Sequence, residues 1–109
     1  MNDDNLYLTH ILECIENIET YLPNGEEDFF RSKLVQDAVI RNLEIMGEAA
    51  KRISKNFRNQ HLHVPWREMT DIRNVLIHDY FGVDNDIVWN VVEKELPPLK
   101  EKIMDLLHQ

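Results

Sequence analysis

Turn-forming residues are scarce in this chain, and their scarcity restricts the folds that it can adopt. The 109 residues include only three glycines and four prolines, about half of the roughly 12% that is usual in globular proteins. A β-sandwich or a small barrel needs many tight reversals and therefore more of both residues. Hydrophobic residues make up 43% of the chain, which is enough for an ordinary core. The composition therefore predicts one all-α domain over residues 1–109.

Apolar residues recur at helical spacing and predict an up-and-down bundle of four or five helices. The predicted helices span residues 4–21, 28–57, 66–80 and 85–95, followed by a stretch from residue 97 to the C-terminal region. Pro97 either kinks the fourth helix or begins a fifth. Residues 58–64 are expected to form a polar loop. Several residues are expected to begin or end these helices. Asp3 or Asp4 should cap the first helix, and Pro65 should be the first residue of the third. Gly82 should end the third helix in the left-handed conformation, and Asp84 or Asp86 should cap the fourth.

The second predicted helix contains a single glycine, Gly47, between Met46 and two alanines. A helical glycine costs about 1 kcal/mol relative to alanine, so we expect another helix to approach closely there. The apolar residues of this helix are candidates for burial: Phe30, Leu34, Ala38, Leu43, Met46, Ala50 and Ile53.

Charge is distributed unevenly along the chain. Residues 1–30 hold eight acidic side chains and no Lys or Arg, which equals the whole net charge of -8. Residues 51–67 contain five cations and no acid: Lys51, Arg52, Lys55, Arg58 and Arg67. An acidic protein is a poor nonspecific binder of nucleic acid, but this stretch has the charge to hold a phosphate backbone. A solvated helix end with a loop is the alternative interpretation.

Several classes of protein are disfavoured by what the sequence lacks. No apolar run approaches the roughly 20 residues of a membrane span. The single Cys14 cannot form an internal disulfide, which fits the reducing cytoplasm. His61 and His63 offer two metal ligands without a clear third. We therefore expect a cytoplasmic protein without a metal site or a bound cofactor.

An arginine followed five positions later by a histidine is the pattern with the clearest chemistry. Arg73 and His78 lie near the end of the third predicted helix, where an ideal helix would separate them by roughly 140°. They can reach one phosphate if the helix frays before His78 or if a second subunit completes the site. The same spacing joins Arg58 to His63, but that pair lies in the predicted loop, and we interpret it as a decoy.

Arginine and histidine are suited to cleaving RNA without a metal. Histidine titrates near neutrality and can accept or donate a proton, and arginine binds phosphate through two parallel hydrogen bonds.

An alternative is purely structural, with Arg73 paired to Asp71 or Glu68 and His78 capping helix carbonyls. Trp66 and Trp89 are expected to be core or interface residues.

The longer context of this motif resembles the HepT-like branch of the HEPN superfamily. The resemblance rests on Arg73-Asn74-x-x-x-His78-x-Tyr80 followed by Phe-Gly-Val-Asp at 81–84. Residues 36–52 are similar to the long helix of that family, and Pro65-Trp66-Arg67 is similar to the start of its third helix.

This resemblance implies an α-helical bundle that pairs into a homodimer and brings two R-x4-H sites near one cleft. It implies a toxin that is a metal-independent endoribonuclease, with Arg73 and His78 catalytic and Asn74 supporting. The implied partner is a nucleotidyltransferase antitoxin that neutralises the toxin by attaching AMP to Tyr80. The alternative from another class is a non-catalytic module that presents a substrate to that nucleotidyltransferase.

Further residues are expected to support such a site. The candidates for RNA binding are Lys51, Arg52, Lys55 and Arg58. Arg41, Glu44 and Glu48 are expected to pair with one another or to support the site from below. The aromatic residues expected to contribute surplus apolar surface to a dimer are Tyr21, Phe29, Phe30 and Trp89. The acidic N-terminal helix is expected to lie away from the cleft, where its charge would repel RNA.

Overall fold

The computed structural model describes residues 3–76 and 82–109, and the regular elements of these residues are helices. Their bounds are α1 Asp4–Tyr21, α2 Glu26–Arg31, α3 Lys33–Arg52, α4 Lys55–Gln60, α5 Trp66–Thr70, α6 Ile72–Leu76, α7 Asn85–Asn90 and α8 Leu96–Leu107, with a π-helical turn at Val91–Glu95. The prediction of an all-α fold is confirmed. Among these helices, none is both long and apolar enough to cross a membrane.

The long helix α3 is the centre of the packing. It contacts α1 along one side and the short helices α5 and α6 along another, while α8 closes over α1. The largest fully buried side chains come from most of these elements: Leu8, Ile11, Ile15, Ile18, Phe29, Val39, Leu43, Met46, Ile53, Leu76, Val88 and Ile103. One continuous core therefore joins the two ends of the chain to α3.

Two serines divide the long helix that the sequence predicted over residues 28–57. Ser32 has an extended backbone, and its hydroxyl accepts a hydrogen bond from the backbone N–H of Val35, so it caps α3. Ser54 caps α4 in the same way through the N–H of Phe57. The predicted single helix was therefore wrong, because serine satisfies free N–H groups better at a helix start than within a helix. Leu34, predicted to be buried, is 80% exposed, and Phe30 is exposed as well.

Asp3, one of the two residues predicted to cap α1, occupies the cap position, but its side chain makes no cap hydrogen bond. The buried carboxylate of Asp4 instead accepts hydrogen bonds from the backbone N–H and the hydroxyl of Ser54, both at 2.7 Å. These bonds connect the start of α1 to the start of α4.

The C-terminal segment is one continuous helical path in which a π-helical turn joins α7 to α8, and Pro97 lies in the first turn of α8. The N–H of Leu96 donates to the carbonyl of Val91, five residues earlier, and this spacing widens the helix by one residue. Pro97 follows directly, and a proline ring would clash with the carbonyl four residues before it in a regular α-helix. The π-helical turn removes this conflict. At the other end of the path, Asp84 caps α7, as predicted, by accepting from the N–H groups of Asp86 and Ile87.

Candidate active site

Gly47 allows the turn between α5 and α6 to lie directly on α3. A Cβ atom at this position would come within 2.7 Å of the carbonyl oxygen of Met69 and 2.8 Å of Cγ2 of Ile72. Real Cβ atoms do not make such contacts, so glycine is required for this approach. The expected close contact is confirmed. It places Ile72, and therefore the next residue, Arg73, immediately over the central helix.

Arg73 forms an ion pair with the central helix. Its Nε lies 3.6 Å from Oε2 of Glu44, while 69% of its side chain remains exposed. An exposed pair of this kind stabilises a fold by less than about 1 kcal/mol. Its main consequence is therefore to place the guanidinium beside the carboxylate of α3. Asp71 and Glu68, the partners of Arg73 in the structural alternative, form no ion pair with it among the described residues. The position of Glu44 fits the second of its two expected roles, which was to support the site from the central helix.

Asp71 and Asn74 define the start of α6. The predicted third helix breaks at Asp71, whose carbonyl accepts from the N–H groups of Asn74 and Val75. The side chain of Asn74 donates to the carboxylate of Asp71. Asp71 therefore ends α5 and begins α6, and Asn74 uses its amide to hold this corner beside Arg73.

Arg73 and Glu44 line two adjoining pockets. The larger, of about 240 Å³, is polar and includes Asp71 and Asn74. The smaller, of about 140 Å³, includes Leu76 and Val83. No residue of α1 is among the described residues that line either pocket.

The segment that carries His78 and Tyr80 lies outside the described residues. Its described flanks are held together, because the carbonyl of Leu76 accepts a hydrogen bond of 2.9 Å from the N–H of Asp84. Gly82 has a φ of 87°, the left-handed conformation that its position predicted. Leu76 and Val83 therefore border the pocket beside Arg73 on both sides of this segment.

The four predicted RNA-binding cations do not form one patch. Lys51 pairs with Glu48 at 3.3 Å and lines the larger pocket beside Arg73. Arg52 is exposed at the end of α3. Lys55 and Arg58 line a separate groove between α4, α5 and α8. Because α4 continues to Gln60, Arg58 belongs to a helix and not to the predicted loop.

The remaining candidates have structural roles. Trp66 is buried and donates its indole N–H to the carbonyl of His61 at 2.9 Å. Trp89 packs against Phe29, which is fully buried and so was wrongly predicted to supply surface for a dimer. Within residues 3–76 and 82–109, no three His, Cys, Asp or Glu side chains are grouped as metal ligands.

Known proteins are similar to this chain along most of its length. Residues 11–106 match the family model described as ribonuclease HepT-like. A probable ribonuclease HepT of Thermococcus cleftensis is 48% identical over 101 residues, which cover 92% of this chain and 92% of that protein. The mRNA nuclease HepT of Shewanella oneidensis is 27% identical over 117 residues, which cover 85% of this chain and 87% of that protein.

A longer relative contains a similar domain. A protein of Methanocaldococcus jannaschii, named as a gamma-glutamylcyclotransferase and candidate RNase, is 49% identical over 108 residues. The match covers 98% of this chain but only 49% of that protein. No solved structure gives a significant match.

Proposed function

Because this chain belongs to the ribonuclease HepT-like family and is an endoribonuclease of the HEPN type, we propose that Arg73 and His78 carry out the cleavage of RNA. The observation that supports this assignment most is the place of Arg73. Contact at Gly47 and the ion pair with Glu44 hold it at a pocket that Leu76 and Val83 border. His78 is carried by the segment between these two flanking residues.

The proposed reaction needs only protein groups. His78 accepts the proton of a ribose 2′-hydroxyl, the resulting oxygen attacks the adjacent phosphorus, and the bond from phosphorus to the 5′ oxygen breaks. A protonated histidine returns a proton to that leaving oxygen. Arg73 pairs with the non-bridging oxygens and stabilises the charge that develops on them. The products are a 2′,3′-cyclic phosphate and a 5′-hydroxyl end, and no metal is required.

A homodimer would supply two copies of His78, one as the base and one as the acid. The amide of Asn85 donates to Gln36 at 3.2 Å, which brings the start of α7 beside the start of α3. Leu34 lies two residues before Gln36, and Val83 lies two residues before Asn85. Both of these apolar side chains are exposed. Val83 also lines the pocket of Arg73. Because Val83 adjoins the site, pairing of two protomers through these exposed apolar side chains would bring two sites together.

We further propose that the protein is a toxin controlled by adenylylation. A nucleotidyltransferase antitoxin transfers AMP from ATP to the hydroxyl of Tyr80 and releases pyrophosphate. Arg73, which is largely exposed, is free to turn from Glu44 toward the added phosphate. The modification would then occupy the position that the RNA phosphate needs, and its negative charge would repel the substrate.

The chemistry of the cleaved ends tests this function. Purified protein is incubated with a labelled single-stranded RNA in the presence and absence of EDTA, and the fragments are analysed by mass spectrometry. We expect a 2′,3′-cyclic phosphate and equal rates under both conditions. A 5′-phosphate product, or cleavage that EDTA stops, contradicts the mechanism. A protein that cleaves no RNA but binds the nucleotidyltransferase would instead be a substrate-presenting module.

A further inference from the structure

The fold assembles a basic groove that no single stretch of sequence contains. It has a volume of about 620 Å³ and lies between α4, the turn after it, α5 and α8. Four long cationic side chains line it: Lys55, Arg58, Arg67 and Lys102. Among its described lining residues, Glu68 alone is acidic. Lys102 comes from α8 and joins the basic stretch only through the packing of the bundle.

In the described part of the chain, the cations of this basic groove form no ion pair with a carboxylate. Five of the twelve Lys and Arg side chains form ion pairs with carboxylates in the described part of the chain, and seven do not. Four of these seven line the basic groove. In a protein with a net charge of -8, such segregation leaves a local positive potential for an external anion.

Arg58 shows the need for an anion most directly. Within residues 3–76 and 82–109, one buried side-chain nitrogen or oxygen has no hydrogen-bond partner, and that atom is Nε of Arg58. A buried donor without a partner is unfavourable by about 1–3 kcal/mol, and more when it is charged. Because Nε itself is buried, an anion in the basic groove would interact with the charge of the guanidinium as a whole.

The basic groove lies next to the pocket beside Arg73, because Thr70 lines both. We propose that the basic groove binds the phosphate backbone of the RNA strand on one side of the cleaved bond. This proposal rests on the proposed ribonuclease function. The position next to the Arg73 pocket favours RNA over an acidic polypeptide, and the side-chain amide of Asn59 adds a hydrogen-bond donor for phosphate or ribose oxygens. The Arg58 and His63 pair thus has a binding role, and not a catalytic one.

Binding to the basic groove has a measurable dependence on salt. Each phosphate contact to single-stranded nucleic acid contributes a slope of about 0.7 to the fall of log K with log salt concentration. Arg58→Gln combined with Arg67→Gln should therefore lower the slope by about 1.4 and weaken binding about tenfold. The matched control is Arg31→Gln combined with Lys33→Gln, which removes the same charge from α2 and α3 at exposed residues that do not line the basic groove.

The test measures binding and cleavage separately. Fluorescence anisotropy with a labelled 12-nucleotide single-stranded RNA is followed at several salt concentrations, with His78→Ala in every protein to prevent cleavage. Circular dichroism verifies that each variant is folded. We expect the groove variant to lose affinity and slope, while the control stays within twofold of the parent. In proteins that retain His78, cleavage of a dinucleotide should fall much less than binding of the 12-nucleotide RNA.

The other outcomes separate the two proposals. Equal losses in both double variants, or none in the groove variant, would overturn the RNA-binding role of the basic groove while leaving cleavage by Arg73 and His78 intact. If the parent with His78 cleaves neither RNA, the proposed function fails whatever the groove binds. If polyglutamate binding depends on Arg58 and Arg67 while RNA binding does not, the occupant is an acidic protein and the proposal is wrong.

Discussion

The Nε of Arg73 lies 3.6 Å from Oε2 of Glu44, and this pair links the motif of α6 to the middle of α3. The side chain of Glu44 is 30% exposed, whereas that of Arg73 is 69% exposed. The carboxylate is therefore the better fixed of the two partners, and it orients the guanidinium before substrate arrives.

Replacing Glu44 by Gln should change kcat and KM differently, because Glu44 orients Arg73 but does not itself bind RNA. Loss of the fixed partner should lower kcat about tenfold, while removal of a negative charge near the phosphate should leave KM unchanged or reduce it. A structural defect would not produce this combination. The control is Glu48→Gln, one turn along α3, which removes a pair with Lys51 instead. Steady-state kinetics in which KM rises while kcat is preserved would contradict the orienting role.

Replacing Gly47 by Ala should push the α5–α6 turn away from α3. The added methyl group would meet the Met69 carbonyl and the Ile72 side chain, so we expect a loss of about 1–3 kcal/mol in the free energy of unfolding and a larger loss of cleavage. The exposed neighbour offers a control, because Glu48→Ala should stay within about 0.5 kcal/mol. Urea denaturation measures both variants. An unchanged midpoint for Gly47→Ala would show that the contact is not tight.

The regular elements were predictable from the sequence to different degrees. Helical spacing located α1 and the buried face of α3, and Gly47 predicted a close contact. Ser32 and Ser54 carried a signal for helix starts that the continuous apolar periodicity obscured. The Arg73–Glu44 pair and the contribution of Lys102 to the basic groove depend on how distant helices pack. No local pattern in the sequence encodes that geometry.

The thiol of Cys14 should be unreactive in the folded protein. Burial raises its pKa, and the charge of Glu13 adds to the rise. A raised pKa means that the folded state holds the thiol proton more tightly than the unfolded state. The stabilisation that results is complete below the ordinary thiol pKa and is lost as the pH rises through the raised value. Ellman's reagent should therefore react slowly at pH 8 and rapidly in urea. Since Cys14 is the single cysteine, equal rates in both conditions would contradict its burial.

Replacing Tyr80 by Phe should preserve cleavage and abolish neutralisation. The ring remains, but the hydroxyl that accepts AMP is removed. Each protein is produced with the nucleotidyltransferase, and peptide mass spectrometry locates any added AMP. Tyr7 and Tyr21 are internal controls, because the chain has three tyrosines. AMP found on either of them, or neutralisation of the Tyr80→Phe protein through modification, would contradict the proposal.

The two arginine–histidine pairs of equal spacing provide the most direct test of the catalytic assignment. Initial rates of cleavage of a labelled dinucleotide are measured for Arg73→Ala, His78→Ala, Arg58→Ala and His63→Ala, each verified as folded by circular dichroism. We expect the first two changes to lower the rate by at least about 10²-fold and the last two to have a much smaller effect. If Arg58→Ala and His63→Ala are the inactive proteins, while Arg73→Ala and His78→Ala still cleave, the active site has been placed on the wrong pair.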